Sequence, residues 1–242
     1  PEDYDTTSYI HKFIQQFHSL FLSLFQTLKN YGFEIYFKQF SYHLDTTLPE
    51  LPDRFWKVAE WVAKKPQFSF KHFSWKEKDK FIKDFAHIYD NAWRFHEHFK
   101  PIDLDDLEEF INTAKFLIEE DFIWFAYHED EPIALFVMVP DFNQILAKLK
   151  GRITLMNFPK VLWLKWRKTM TRTRSLIIGI VPKYQRSGID AAIFWHLRPA
   201  MYKKRWYREM ELSWAGDFNP KVVALYESVG GKRMKTHYTM RY

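Results

Sequence analysis

Apolar residues recur every three or four positions over 8–30, where Ile14, Phe17, Phe21, Leu24, Phe25 and Leu28 share one face of a predicted helix. Gly32 ends it as a C-cap glycine. The aromatic run 33–44 (FEIYFKQFSYHL) reads as one or two strands. Pro49 and Pro52 precede a helix at 53–64 that Pro66 stops. Residues 67–73 alternate and predict a strand. Ser74 caps a helix over 75–94 with Phe81, Phe85, Ile88 and Ala92 inward, and Asp103 opens another. Strands at 122–128 and 133–139 form a hairpin through Glu129-Asp130-Glu131-Pro132. A short helix at 143–150 and a basic, Trp-bearing stretch to Arg174 follow.

The run 175–181 (SLIIGIV) is apolar on both faces, as in a central strand covered on both sides. Gly188 begins a helix with Ile193, Leu197, Ala200 and Met201 inward. Residues 209–214 alternate as a strand. Asn219-Pro220 starts a helix, Gly230-Gly231 ends it, and 233–241 forms a closing strand. The order over 67–242 is β-α-α-β-β-(α)-β-α-β-α-β, a three-layer α/β arrangement. Residues 24–43 also resemble 222–241 in layout: helix, Gly, then aromatic strand, with Gly32 opposite Gly230. Chance likeness of two such units is the alternative.

Composition narrows the class. The chain has 242 residues, 47% hydrophobic and 27% charged, enough for a large core and wrong for a disordered chain. It has no Cys, which excludes disulfides, a thiol nucleophile and a cysteine zinc site. The most apolar stretch, 17–28, carries His18, Ser19, Ser23, Gln26 and Thr27, too polar and short to span a membrane. The acidic start PEDYDTT carries no secretory signal, so a cytoplasmic location is expected. A first residue of Pro points to removal of Met or to a chain cut from something longer.

Charge is uneven. Between Lys150 and Glu209 there are 15 Lys/Arg against Asp190 and Glu209, a surplus of +13, which leaves −7 for the rest. A polyanion partner is one reading: coenzyme phosphates, an acidic carrier protein, RNA or anionic lipid. A solvated basic face is the other.

The stretch 177–192 (IIGIVPKYQRSGIDAA) resembles motif A of the GNAT acyltransferase superfamily, with the phosphate signature read as Gln185-Arg186-Ser187-Gly188-Ile189-Asp190. Asn219, Leu225-Tyr226-Glu227 and Gly230 resemble its motif B. PDFNQ (140–144), RSGIDAA and MELSW together resemble an uncharacterised bacterial branch whose members run longer upstream. The resemblance covers about 67–242. It implies a GNAT-like fold with a mixed, mostly antiparallel sheet splayed at its centre. It also implies an N-acyltransferase domain over 66–242, preceded by a segment, 1–65, whose first 45 residues are the tail of an upstream GNAT-like half. Strands 175–181 and 209–214 should run parallel and part at their C-terminal ends.

Acetyl-CoA or another acyl-CoA is the implied co-substrate, with no metal. The first amides of the helix after Gly188 are unsatisfied donors at the positive end of its dipole, and a glycine there lets a phosphate approach the main chain. Gln185, Arg186, Ser187, Ile189 and Asp190 complete that cradle, Ile178, Ile180 and Val181 offer main-chain groups to the pantetheine arm, and Asn219 contacts the coenzyme or simply caps its helix. Tyr226 is the implied acid for the departing thiolate, since a phenol suits such a leaving group. Its place on an apolar stripe equally fits core packing. Glu211 is the candidate base, against a salt-bridged strand residue.

Asp190 stands where the superfamily has Gly or Ala, and its charge should weaken coenzyme binding. His196 reads as a packed or exposed helix residue. His96 and His98 lack further ligands for a metal. Trp93 is expected at the acceptor pocket. The acceptor is expected to be a small-molecule or peptide amine. The 158–174 stretch suits peripheral membrane contact or an acidic carrier protein. Nucleic acid is disfavoured, because no RNA-binding signature accompanies the basic and aromatic residues.

Overall fold

A computed structural model describes residues 22–47, 53–95 and 99–242. The doubly apolar run becomes strand β5 (Arg172–Ile180), the middle of a seven-stranded sheet. Three other strands precede it in the chain beyond residue 66: β2 (Phe68–His72), β3 (Ile123–His128) and β4 (Glu131–Pro140). After it come β6 (Glu209–Gly216) and β7 (Lys232–Arg241). The sheet order is β2-β3-β4-β5-β6-β1-β7, where β1 is Glu34–Asp45. Every neighbouring pair is antiparallel except β5 and β6, which run parallel.

Helices cover both faces. On one lie α2 (Asp53–Ala63), α5 (Asn143–Lys148), α6 (Phe158–Trp166), α7 (Ile189–Lys203) and α8 (Pro220–Ser228). Their inward residues join Phe136, Met138 and Leu212 in the larger core. On the other lie α3 (Lys78–Trp93) and α4 (Leu104–Thr113), packed on Phe125 and Leu135 through Phe81, Ile88 and Ile111. This is the three-layer α/β/α architecture expected.

One boundary differs from expectation. Strand β5 starts three residues early, because Arg172 and Arg174 alternate with the fully buried Thr173 and Ser175. Helix α7 runs through Pro199, as the inward Ala200 and Met201 imply. Residues 1–21, with most of the first predicted helix, and 96–98, with His96 and His98, lie outside the described residues.

The segment before residue 66 supplies β1, which enters the sheet between β6 and β7. The two similar units are both helix–Gly–strand: helix α1 (22–30) with Gly32 and β1, and α8 with Gly230 and β7. Both glycines are left-handed, at φ 90° and 81°. Both helices close with the same bonds: Gly32 N–H to Lys29 O and Phe33 N–H to Leu28 O, Gly230 N–H to Glu227 O and Gly231 N–H to Tyr226 O. In the antiparallel ladder Gln39 pairs with His237, its own counterpart in the repeat. The two units are therefore related by a local two-fold through that rung.

Candidate functional site: the fork between strands five and six

Pairing of β5 with β6 covers only Arg172–Ser175 against Glu209–Leu212. Beyond Ser175 and Leu212 the strands part, as expected for the splayed pair. A bulge at Leu176 marks the same point, since the β4 register slips between Val137 opposite Ile177 and Met138 opposite Ser175. The Ser213 hydroxyl donates to the Ser175 carbonyl and closes the base of the fork.

The lower end of the pair is tied by charge. Arg172 donates from Nε and Nη2 to Glu209 Oε2 at 3.0 and 2.9 Å, and its Nη1 lies 3.7 Å from the buried Asp141. Those bonds hold the Glu209 carboxyl below the usual range, although burial opposes them. His43 Nε2 lies 3.3 Å from Glu209 Oε2. The PDFNQ segment explains itself here. Gln144 Oε1 accepts from Thr171 and Arg172 N–H at 2.8 and 3.2 Å, Asp141 N–H donates to Arg172 O at 2.8 Å, and Asp141 Oδ1 accepts from Asn143 N–H at 3.2 Å. The motif clamps the entry to β5. Glu211 takes a bond from Arg174 Nη2 at 3.2 Å, so it is a salt-bridged strand residue on the sheet face opposite α7. These pairs, with Lys204 between Glu119 and Asp121, neutralise part of the basic third.

Above the fork the strand edge is open. Val181 N–H donates to Ile133 O at 2.9 Å. Antiparallel alternation then turns the amides of residues 179 and 177 toward β4, and those of Ile178 and Ile180 toward the fork. Ile180 O, on that open side, accepts from Gln185 Nε2 at 3.3 Å. Ile178 and Ile180 thus present main-chain groups to the fork, while the Val181 amide is already engaged. On the far face Trp93 packs against Gly179 so closely that a Cβ there would sit 2.6 Å from its ring.

Tyr226 stands at the base of the fork. It is 4% exposed, and its ring meets Tyr42 edge-on at 5.5 Å. Burial pushes its phenol up to about 12, against the Ser175 side chain beside it. Core packing and proximity to the fork coexist in this one residue. Ser175 and Leu176 were not singled out from sequence. The slip of the apolar run into Arg-Thr-Arg-Ser was the available signal.

The turn into α7 combines two left-handed residues, Arg186 at φ 63° and Gly188 at φ 79°. Ser187 Oγ donates to Tyr184 O at 2.5 Å, and Lys221 Nζ, in the first turn of α8, donates to Gln185 Oε1 at 2.8 Å. Asn219 Oδ1 accepts from Val222 N–H at 3.5 Å as the N-cap of α8. The glycine has a packing reason besides the one expected. A Cβ on Gly188 would meet Val62 Cγ2 of α2 at 3.0 Å, so the missing side chain admits a neighbouring helix as well as the positive φ. Ile189 is fully buried beneath the turn. The Asp190 carboxylate folds back on the helix start, its Oδ1 accepting from Ala191 N–H at 2.9 Å. Burial raises its pKa, and those backbone amides oppose the rise. It occupies donors that an anion would need.

His196 is a packed residue, stacked on Phe70 at 4.7 Å and Trp124 at 5.4 Å, with its pKa lowered by burial. Among the described residues no group of three or more His, Asp or Glu could hold a metal, and no helix is long and apolar enough to cross a membrane.

This fold is similar to that of GCN5-related N-acetyltransferases. A structure of such a protein from Sphaerobacter thermophilus superposes with a TM-score of 0.57 at 11% identity, over 91% of this chain and 56% of that one. A tandem GNAT protein from the clavulanic acid biosynthesis pathway gives 0.51 at 8%, over 88% and 55%. The fold is therefore GNAT-like. The bacterial ceramide synthase of Caulobacter vibrioides is 25% identical over 162 residues, 66% of this chain and 42% of that protein. The chain spans about two fifths of that curated relative's length. No family model matches the chain.

Proposed function

We propose that the chain is an N-acyltransferase that moves an acyl group from a coenzyme A thioester to an amine. The observation that supports this is the fork, where Ile178 and Ile180 lie on an open strand edge and Tyr226 lies beside Ser175 at its base. The amine nitrogen attacks the thioester carbonyl directly, and no covalent enzyme intermediate is needed. Main-chain amides at the open edge hold the oxyanion, an effect of about 2.7–4 kcal/mol per donor. The carbon–sulfur bond then breaks and the thiolate takes the Tyr226 proton. The ammonium proton leaves to water, since Arg174 already holds Glu211. A phenol held near 12 stays protonated at neutral pH and so is available as an acid.

The acyl-CoA pyrophosphate would lie against the turn 185–190, with Arg186 and Gln185 as donors once Asp190 has moved aside. Asn219 and Lys221 border the same mouth. Likeness to the ceramide synthase supports a long-chain amine as acceptor and a fatty acyl donor. The two-fold relation of the helix–Gly–strand units supports residues 1–45 being the tail of an upstream GNAT-like half.

Thiol release tests the reading, and the absence of Cys leaves no background. Acetyl-CoA and palmitoyl-CoA are each offered with a panel running from small amines to long-chain amino alcohols. Amine-dependent release of free coenzyme A is expected. Calorimetric binding of acyl-CoA with no release across the panel would make the chain a binding module. A second reading has an acyl carrier protein or aminoacyl-tRNA as donor, and the Asp190 carboxylate on the anion-binding amides favours it. Turnover with those donors, falling steeply with salt, would decide for it.

A further inference from the structure

Helix α6 has apolar residues on two sides. Val161 and Leu164 turn inward and are buried. Phe158, Leu162 and Trp166, spaced by four, form a second stripe facing water, with Trp166 76% exposed. In the loop just before, Leu155 and Met156 are 96% and 95% exposed. Contiguous exposed apolar surface of this kind marks an interaction site. The surroundings are cationic: Lys150, Arg152, Lys160, Arg167 and Lys168 are all exposed, and no Asp or Glu occurs from 150 to 168. Arg167 lies over the Trp163 ring at 5.4 Å, and Lys168 over Trp206 at 4.0 Å.

Charge complementarity selects an anionic partner. The protruding Leu155–Met156 tip selects one that can be penetrated, since RNA offers such side chains no apolar recess. We propose that residues 150–168 dock this protein on an anionic phospholipid bilayer. Leu155 and Met156 enter the boundary between headgroups and acyl chains, Trp163 and Trp166 lie at headgroup level, and the five cations meet lipid phosphates. Because α6 leads into the N-terminal end of β5, the fork opens at the far end of the sheet and stays turned to water.

Sedimentation with vesicles tests this without reference to catalysis. The chain should bind phosphatidylcholine vesicles containing roughly a third phosphatidylglycerol and leave pure phosphatidylcholine unbound. Leu155→Ser, Met156→Ser and Trp166→Ala together should weaken binding at least about tenfold, as should Arg152→Glu with Lys160→Glu. Both variants should keep the wild-type thermal midpoint, since all five side chains are exposed. Tryptophan emission should shift to the blue on binding and be quenched by brominated lipid, and Trp163→Phe with Trp166→Phe should remove that signal. Failure to bind anionic vesicles overturns the proposal. So does binding that the apolar substitutions leave unchanged, which would mark a purely electrostatic surface for an acidic carrier protein or RNA.

Discussion

At its lower end the β5–β6 pair is tied several times over. Arg172 grips Glu209 and Asp141, Gln144 holds two backbone amides at the entry to β5, and Arg174 meets Glu211. A few residues further along, among the described residues, only the Ser213 bond to the Ser175 carbonyl bridges the strands before they part. Above it the edge amides of β5 face a gap. The same two strands thus provide a rigid clamp and an open fork. A fork needs the clamp, because two parallel strands with nothing holding their bases would either zip up or separate. Rigidity at one end keeps the amides at the other in fixed positions, as the proposed acyl transfer requires.

Perturbing the open end should have the largest effects. Tyr226→Phe removes the proposed acid while keeping the ring against Tyr42, so kcat for thiol release should fall about 10²–10⁴-fold with little change in donor affinity. Unchanged kcat would leave Tyr226 as core packing alone. Next in size is Asp190→Ala, which frees the amides at the start of α7. Calorimetric affinity for acetyl-CoA should rise about 5- to 150-fold, most clearly at low salt. Equal or weaker binding by the variant would mean that the carboxylate positions the turn.

The clamped end should answer in stability. Gln144→Ala leaves the Thr171 and Arg172 amides without their acceptor and should cost about 1–3 kcal/mol in denaturant unfolding, with kcat falling further than a uniform loss of folded protein explains. A stability change with an unaltered specific activity would uncouple clamp from fork. The smallest effect is in alkali. The Tyr226 phenol is raised to about 12, so its neutral form favours the fold at every pH below its ordinary value near 10. Between pH 10 and 12 the unfolded chain loses that proton first and stability drops. Absorbance titration should show one tyrosine ionising near 12 in the wild type and absent in Tyr226→Phe.

Much of this was legible from residue patterns. The doubly apolar run marked β5 as central, Asn219-Pro220 marked the start of α8, and the motif between them placed the parallel pair. What was hidden depended on distant neighbours. The reason for Gly188 is partly Val62, which is remote in the chain and adjacent only after α2 packs on α7. Asp190 was recognisable as a departure, but not that its carboxylate would turn onto Ala191. Arg172 and Arg174 looked like part of a basic surface because their partners, Asp141, Glu209 and Glu211, come from other strands and turns. Strand period says that 34–45 is extended and says nothing of its slot between β6 and β7.

That slot has a consequence in time. A ribosome adds roughly 5–20 residues per second. Once β1 has been made, its two partners, β6 and β7, are still some 165–195 residues away in the chain, so it waits about 10–40 s with both edges unpaired. Strands β2 to β5 can pair as they emerge, whereas β1 joins them only through β6 and gains its other neighbour only with β7. Such long-range pairing is slow to nucleate, and an apolar strand with bare edges invites other chains meanwhile. Strand β1 should therefore need a holding partner more than strands β2 to β5 do.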